Sequence, residues 1–113
     1  MATNYSILGQ AVPTSGNSDV YASPAATQTV ISTIAVCNTT TSPATATIYI
    51  RKASGGTPAA ASTSNAFAYQ QTIAALSTQT FSIGATVGAY DTITVASGTA
   101  SALTFHVFGC QVS

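Results

Sequence analysis

The stretch Thr27-Gln28-Thr29-Val30-Ile31-Ser32-Thr33-Ile34-Ala35-Val36-Cys37 decides the fold class of this chain. β-Branched residues dominate the stretch, and these residues favour strands over helices. Alternation places Val30, Ile34 and Val36 with Ser32 on one face, and Ile31, Ala35 and Cys37 with Thr33 on the other. Because both faces are largely apolar, we predict a strand from Thr27 to Cys37 in the centre of a sheet.

Similar short apolar runs, separated by Gly, Pro, Ser and Asn, flank this strand on both sides. No run has the 3.6-residue period of a helix, so the whole pattern indicates strands. Further strands are predicted at Tyr5–Gln10, Asp19–Ala22, Thr45–Lys52, Ala66–Ala74, Gln79–Ile83, Asp91–Ala96 and Leu103–Val112. Seven or eight strands at this spacing predict one all-β domain over residues 1–113, an antiparallel β-sandwich of the Ig-like or jelly-roll-like kind.

The order of the strands suggests how they pair and where the core lies. Asn38–Pro43 is a polar turn, so we expect Thr27–Cys37 and Thr45–Lys52 to form an antiparallel pair. Ala53–Asn65 is rich in Ser, Gly and Ala, which predicts a long exposed loop. The residues expected in the core are Ile34, Ile48, Phe81, Ile93 and Phe105.

Charged residues are scarce in this sequence. They make up 4% of the chain, against about 25% in ordinary soluble domains, and Asp19, Arg51, Lys52 and Asp91 cancel to a formal net charge of zero. Neighbouring copies then experience little electrostatic repulsion. This favours a protein that is part of an assembly over a free secreted domain. Two basic residues are too few for nucleic acid, and no apolar stretch approaches the length of a membrane helix.

The residues that could support chemistry predict no catalytic, cofactor-binding or metal site, and the chain is not expected to be an enzyme. Asp19 and Asp91 are the only carboxylates, and each is expected to fix a turn. His106 has no nucleophile motif beside it and is expected partly buried on the last strand or at a subunit contact. Cys37 and Cys110 are too far apart for a zinc pair, and we expect buried free thiols, with a bridge as the alternative if their strands are neighbours.

Other surface signals leave two readings open. Five tyrosines, namely Tyr5, Tyr21, Tyr49, Tyr69 and Tyr90, fit either a sugar-binding face or a protein interface, and the lack of Trp favours the interface.

Asn38-Thr39-Thr40 matches the N-glycosylation pattern, but a turn role explains Asn38 better. The first residues lack the basic and apolar regions of a signal peptide, so synthesis in a cytoplasm is expected.

Several segments resemble small structural proteins of tailed bacteriophages, including phages of cyanobacteria. Tyr21–Asn38 carries the resemblance through the Tyr21-x-x-Pro24-Ala25 entry into a Val/Ile strand that ends in Asn. Met1–Gln10, Asp91–Ser97 and Phe105–Val112 are also similar, whereas Ala53–Asn65 departs from the pattern by its richness in Ala and Ser.

The resemblance implies a virion structural protein that is assembled in the host cytoplasm. The expected roles are a capsid decoration (cement) protein or a small neck, tail or fibre component, held by non-covalent contacts to the major capsid or tail protein. A homo-oligomer is implied as well, with a trimer as the form suggested by phage decoration and fibre proteins. The alternative function is a carbohydrate-binding, host-recognition module of a phage fibre.

Overall fold

Ten β-strands and one 3-10 turn make up the regular structure of residues 3–14 and 16–112, the part of the chain that the computed structural model describes. The strands are β1 (Thr3–Ala11), β2 (Ser18–Ala22), β3 (Gln28–Asn38), β4 (Ala44–Arg51), β5 (Ala53–Ser54), β6 (Thr57–Pro58), β7 (Ala66–Ile73), β8 (Thr78–Val87), β9 (Thr92–Ser97) and β10 (Leu103–Val112). The 3-10 turn spans Thr63–Asn65. The predicted all-β class is therefore confirmed.

Eight of these strands form two antiparallel sheets that pack together as a β-sandwich. The first sheet has the order β1-β10-β3-β8 and the second the order β2-β9-β4-β7, while β5 and β6 pair only with each other. Successive long strands alternate between the sheets, and only β4 and β7 are neighbours both along the chain and in a sheet. This is the jelly-roll arrangement, whereas an immunoglobulin sandwich pairs its first two strands. Of the two predicted sandwich types, the jelly roll is right.

The predicted pairing of Thr27–Cys37 with Thr45–Lys52 is wrong. β3 pairs with β10 and β8 in the first sheet, and β4 pairs with β9 and β7 in the second. The segment between them therefore crosses from one sheet to the other instead of turning back. Asn38, which is 1% exposed, holds this crossing: its amide donates to the carbonyls of Ser42 at 2.9 Å and Ile73 at 3.0 Å. Its nitrogen is thus buried and bonded, which excludes its glycosylation in the folded chain.

The predicted assignment of side chains to the two faces of β3 is correct only in the C-terminal half of the strand. Ile34, expected in the core, is fully buried together with Val36, but Val30 of the same predicted face is exposed and Ile31 of the other is buried. A β-bulge at Ser32 causes the change, because an extra residue shifts the alternation of side chains by one position. Gly109 on β10 permits the bulge, since a Cβ at this position would collide with the carbonyl oxygen of Val30.

The core between the sheets contains four of the five residues predicted for it. Ile34, Ile48, Ile93 and Phe105 are 0% exposed. Phe81 only packs against the core, because it lies on the edge strand β8. Its ring meets that of Phe67 edge-on at 5.8 Å between centroids, which joins the edges of the two sheets.

The segment Ala53–Asn65 is exposed as predicted, but it is fixed to the second sheet and is not a free loop. It contains the β5–β6 hairpin and the 3-10 turn, whose first amides are capped by Ser62. Arg51 donates from Nε to the Ala59 carbonyl at 2.6 Å, and the Ala59 amide donates to the Lys52 carbonyl at 2.9 Å. These bonds lay the segment along the end of β4.

Candidate association surface

The outward side of the first sheet carries no charged residue, and we call it the neutral face. The four charged residues of the sequence lie on, or next to, strands of the second sheet. The neutral face comprises the outward positions Tyr5, Ile7 and Gln10 of β1, Thr104, His106, Phe108, Cys110 and Val112 of β10, Gln28, Val30, Ser32, Thr33, Ala35 and Cys37 of β3, and Thr78, Thr80, Ser82 and Thr86 of β8.

Apolar and aromatic side chains cluster on one half of the neutral face. Tyr5 lies opposite Cys110, which lies opposite Val30 on the next strand, and Ile7 lies opposite Phe108. Opposed residues of antiparallel strands share a face and are in contact distance. Tyr5 is 83% exposed and Ile7 is 58% exposed, so this cluster offers a sizeable apolar surface to a partner.

A groove of about 320 Å³ opens within this cluster, between β1, β10 and β3. The groove lies at the bulge of β3 at Ser32, and Tyr5 and Phe108 line it together with Val30. The Ser32 hydroxyl in the groove donates to the Phe108 carbonyl at 3.1 Å and so already has a partner. The lining residues are Tyr5, Ser6, Val30, Ser32, Phe108, Gly109 and Cys110.

His106 lies beside this cluster on the neutral face, partly buried on the last strand as predicted. Its ring stacks on that of Phe108 at 6.2 Å between centroids, and Gln10 donates from Nε2 to its Nδ1 at 3.0 Å. The opposed residues are Gln10 and Ala35, neither of which is an acid or a nucleophile. Within residues 3–14 and 16–112, no cluster of three His, Cys, Asp or Glu could hold a metal ion.

Both cysteines are free and partly buried. Their strands β3 and β10 are neighbours, the condition set for a bridge, but Cys37 lies opposite Thr104 and Cys110 lies opposite Val30. Val30 and Cys37 stand near opposite ends of β3, roughly 20 Å apart at the usual rise of a strand. A disulfide needs Cα atoms within about 7 Å, so the strand register excludes a bridge within one chain.

The two carboxylates have different roles, of which only one matches the prediction. Asp91 fixes a turn as expected, accepting from the amides of Gly88 at 2.8 Å and Ala53 at 2.7 Å. Asp19 does not, because it points outward from β2 and forms an ion pair with Arg51 at 3.1 Å. Asp19 also accepts from the Thr94 hydroxyl at 2.7 Å, so the pair spans β2, β9 and β4.

The second sheet covers its own outward side, unlike the first. Thr92 and Thr94 are 2% and 1% exposed, although both point away from the core. Arg51 lies across this side, where it contacts Asp19, Thr94 and the Ala59 carbonyl. Of the two outward sides, the neutral face is therefore the candidate association surface.

The edge strands are poorly suited to pairing with another chain. Each of the four contains a bulge: Leu8 in β1, Val20 in β2, Tyr69–Gln70 in β7 and Ile83–Gly84 in β8. Bulges twist an edge and interrupt its row of backbone groups. Gly84, with φ +58°, lies in the bulge of β8, and the strand continues beyond it to Val87, past the end at Ile83 that the sequence predicts.

The tyrosines do not form the common face that a sugar-binding site would need. Tyr21 is buried, where its hydroxyl lies 2.6 Å from that of Thr29 and accepts from Gln111 at 2.8 Å. Tyr5 lies on the neutral face, whereas Tyr49 lies on the outward side of the second sheet. A sugar-binding face built from all five tyrosines, the less favoured of the two readings, is therefore absent.

Comparisons with protein-family models, curated proteins and solved structures found no match. Among the described residues, no helix is long and apolar enough to span a membrane.

Proposed function

We propose that this chain is a virion structural protein, either a capsid decoration protein or a small neck or tail component, that attaches by non-covalent contacts. The observation that carries the proposal is the neutral face: an open sheet face, free of charge and apolar over one half, in a chain with a formal net charge of zero. Such a surface favours binding to another protein over a monomeric state in solution.

The chemistry of the neutral face supports attachment by apolar burial. Tyr5, Ile7 and Val30 are all exposed side chains in one cluster, and burial of apolar surface gains about 25 cal/mol per Å². His106 is paired with Gln10 and stacked on Phe108, an arrangement that supports a contact surface rather than proton transfer. The bulged edges direct the contact to the face of the sheet instead of its edges.

The jelly-roll arrangement is compatible with this role. Jelly rolls recur in viral capsid proteins, although they also occur in lectins and enzymes, so the fold by itself does not decide the function. The resemblance of Tyr21–Asn38 to tailed-phage structural proteins points the same way as the neutral face. The carbohydrate-binding alternative has less support, because the tyrosines are dispersed and the Ser32 hydroxyl in the groove is already bonded.

The direct test of this proposal is to locate the chain in purified virions by electron microscopy, with the protein also followed by gel. We expect density for a small β-sandwich on the capsid surface or at the neck or tail. Virions that lack the chain would contradict the proposal, and specific binding on a glycan array would favour the host-recognition alternative.

Attachment to the particle is predicted to be nearly independent of salt. The Debye length falls from about 10 Å at 0.1 M to 3 Å at 1 M salt, which weakens exposed ionic contacts. Arg51 is already paired with Asp19, and Asp91 fixes a turn, so little charge is free for a partner. Washing particles in low salt and in 1 M NaCl should leave equal amounts bound, whereas release at high salt would assign the contact to Arg51 and Lys52.

A further inference from the structure

We infer that the first half of β1 opens as a flap while the rest of the sandwich stays folded. The flap comprises residues 4–7, which precede the bulge at Leu8 and pair with residues 108–111 of β10. Its opening uncovers the backbone edge of β10 and the side of the groove that Tyr5 lines. The inference goes beyond the proposed function and does not depend on it, because it concerns the chain by itself.

The four side chains of the flap are all exposed. Tyr5 and Ile7 point outward on the neutral face, where they are 83% and 58% exposed. Alternation directs Asn4 and Ser6 to the inner side of the sheet, yet both are exposed as well, so the second sheet does not cover this part of β1. Because apolar burial is the main favourable term in folding, the flap is held chiefly by its backbone bonds to β10.

The second half of β1 is anchored to the core and sets the limit of the flap. Leu8 and Ala11 pack against the buried residues between the sheets. The backbone at Gly9 approaches β2 so closely that a Cβ there would collide with the Val20 carbonyl oxygen. The bulge at Leu8 lies between the two halves and interrupts the pairing with β10. Opening therefore stops at Leu8 and leaves residues 9–11 in place.

The opening of the flap is expected to be almost insensitive to denaturant. The slope of an unfolding free energy against urea concentration scales with the surface that becomes exposed. The flap side chains are already exposed, so its opening adds little new surface. The pairs between β3 and β10 include Ile34 with Val107 and Val36 with Phe105, all fully buried, so they separate only when the whole sandwich unfolds.

The test is native-state amide hydrogen exchange, followed by NMR at several urea concentrations below the unfolding transition. We expect the flap amides that bond to β10 to be at least about 100-fold less protected than the amides of Ile34 and Val36, and their protection to be nearly constant with urea. Residues 9–11 of the same strand are the internal control and should be better protected than the flap. Flap amides with the protection and urea slope of Ile34 would overturn the inference.

A second variant closes the flap covalently. Tyr5→Cys, combined with Cys37→Ser, places one thiol directly opposite Cys110, and opposed residues of paired strands lie about 4.5–5.5 Å apart between Cα atoms, within disulfide range. Once mass spectrometry shows the bridge, the flap amides should exchange at least about 10-fold more slowly than after reduction, with those of Ile34 little changed. Equal flap rates in the bridged and reduced forms would contradict the inference. If no bridge forms, the urea dependence in the parent chain decides.

Discussion

Replacing Phe105 with Ala is expected to lower the free energy of unfolding by about 3–5 kcal/mol. Phe105 is the largest side chain in the core that is fully buried, and it lies on β10 in the middle of the first sheet, opposite Val36 and Ala11. The loss combines the transfer of a phenyl ring to water with the cavity that the surrounding strands cannot close. Urea melts followed by circular dichroism would measure it.

Phe67→Ala is the control for this substitution. Phe67 is 42% exposed and contacts Phe81 edge-on, so its removal should cost only about 1 kcal/mol, the worth of an aromatic pair. Equal losses at the two positions would mean that Phe105 does not occupy the centre of the core.

Replacing Asn38 with Ala is expected to cost about 2–4 kcal/mol, from four hydrogen bonds at roughly 1 kcal/mol each and the buried groups left without partners. The Asn38 amide donates to the carbonyls of Ser42 and Ile73, and its oxygen accepts from the amide and hydroxyl of Thr40. These bonds tie the end of β3 in the first sheet to the end of β7 in the second. Chemical denaturation of the variant would give the loss.

Asn65→Ala provides the matched control for Asn38. Asn65 also bonds a carbonyl and an amide, those of Ala60 and Ser62, but it does so at the exposed 3-10 turn, where water can replace it. Its loss is expected to stay below about 1 kcal/mol. If Asn38→Ala were equally mild, the crossing between the sheets would not depend on the Asn38 side chain.

The positions of the strands could be predicted from the sequence, but the path between them could not. Alternating β-branched and aromatic residues mark β3, β4 and β10 within a residue or two of their bounds. Four of the crossings between the sheets turn at a left-handed residue other than glycine. Ala26, Leu76, Tyr90 and Ser101 take the left-handed conformation there, with φ between 54° and 67°, and none of these residue types signals such a turn.

The groove could not be predicted from the sequence either, because it depends on how the backbone of β3 pairs with that of β10. Strict alternation along Thr27–Cys37 assigns Val30 to the core, and a bulge moves it to the surface. A bulge in β3 is formed by backbone pairing with β10, which a reading of one strand at a time does not capture. The one signal was Gly109, since a glycine inside an apolar strand often marks a bulge or a close backbone approach.

The composition shows that charged residues are scarce, but it does not show where in the fold they lie. Asp19 and Arg51 are far apart in sequence. They come together because β2 and β4 lie in the same sheet on either side of β9, which leaves 3.1 Å between the Asp19 carboxylate and the Arg51 guanidinium. That pairing concentrates the charges on the second sheet. It leaves the first sheet with the neutral outward face on which the proposed association depends.

The central claim, that the neutral face attaches this chain to its particle, is tested most directly by the retention of two lysine variants on purified particles. Ile7→Lys places a charge on the neutral face, and Leu76→Lys places the same charge at an equally accessible site outside it. The account predicts that Leu76→Lys binds particles like the parent chain, while Ile7→Lys is lost at every salt concentration because its charge must be desolvated in the contact. Equal retention of the two variants would contradict it.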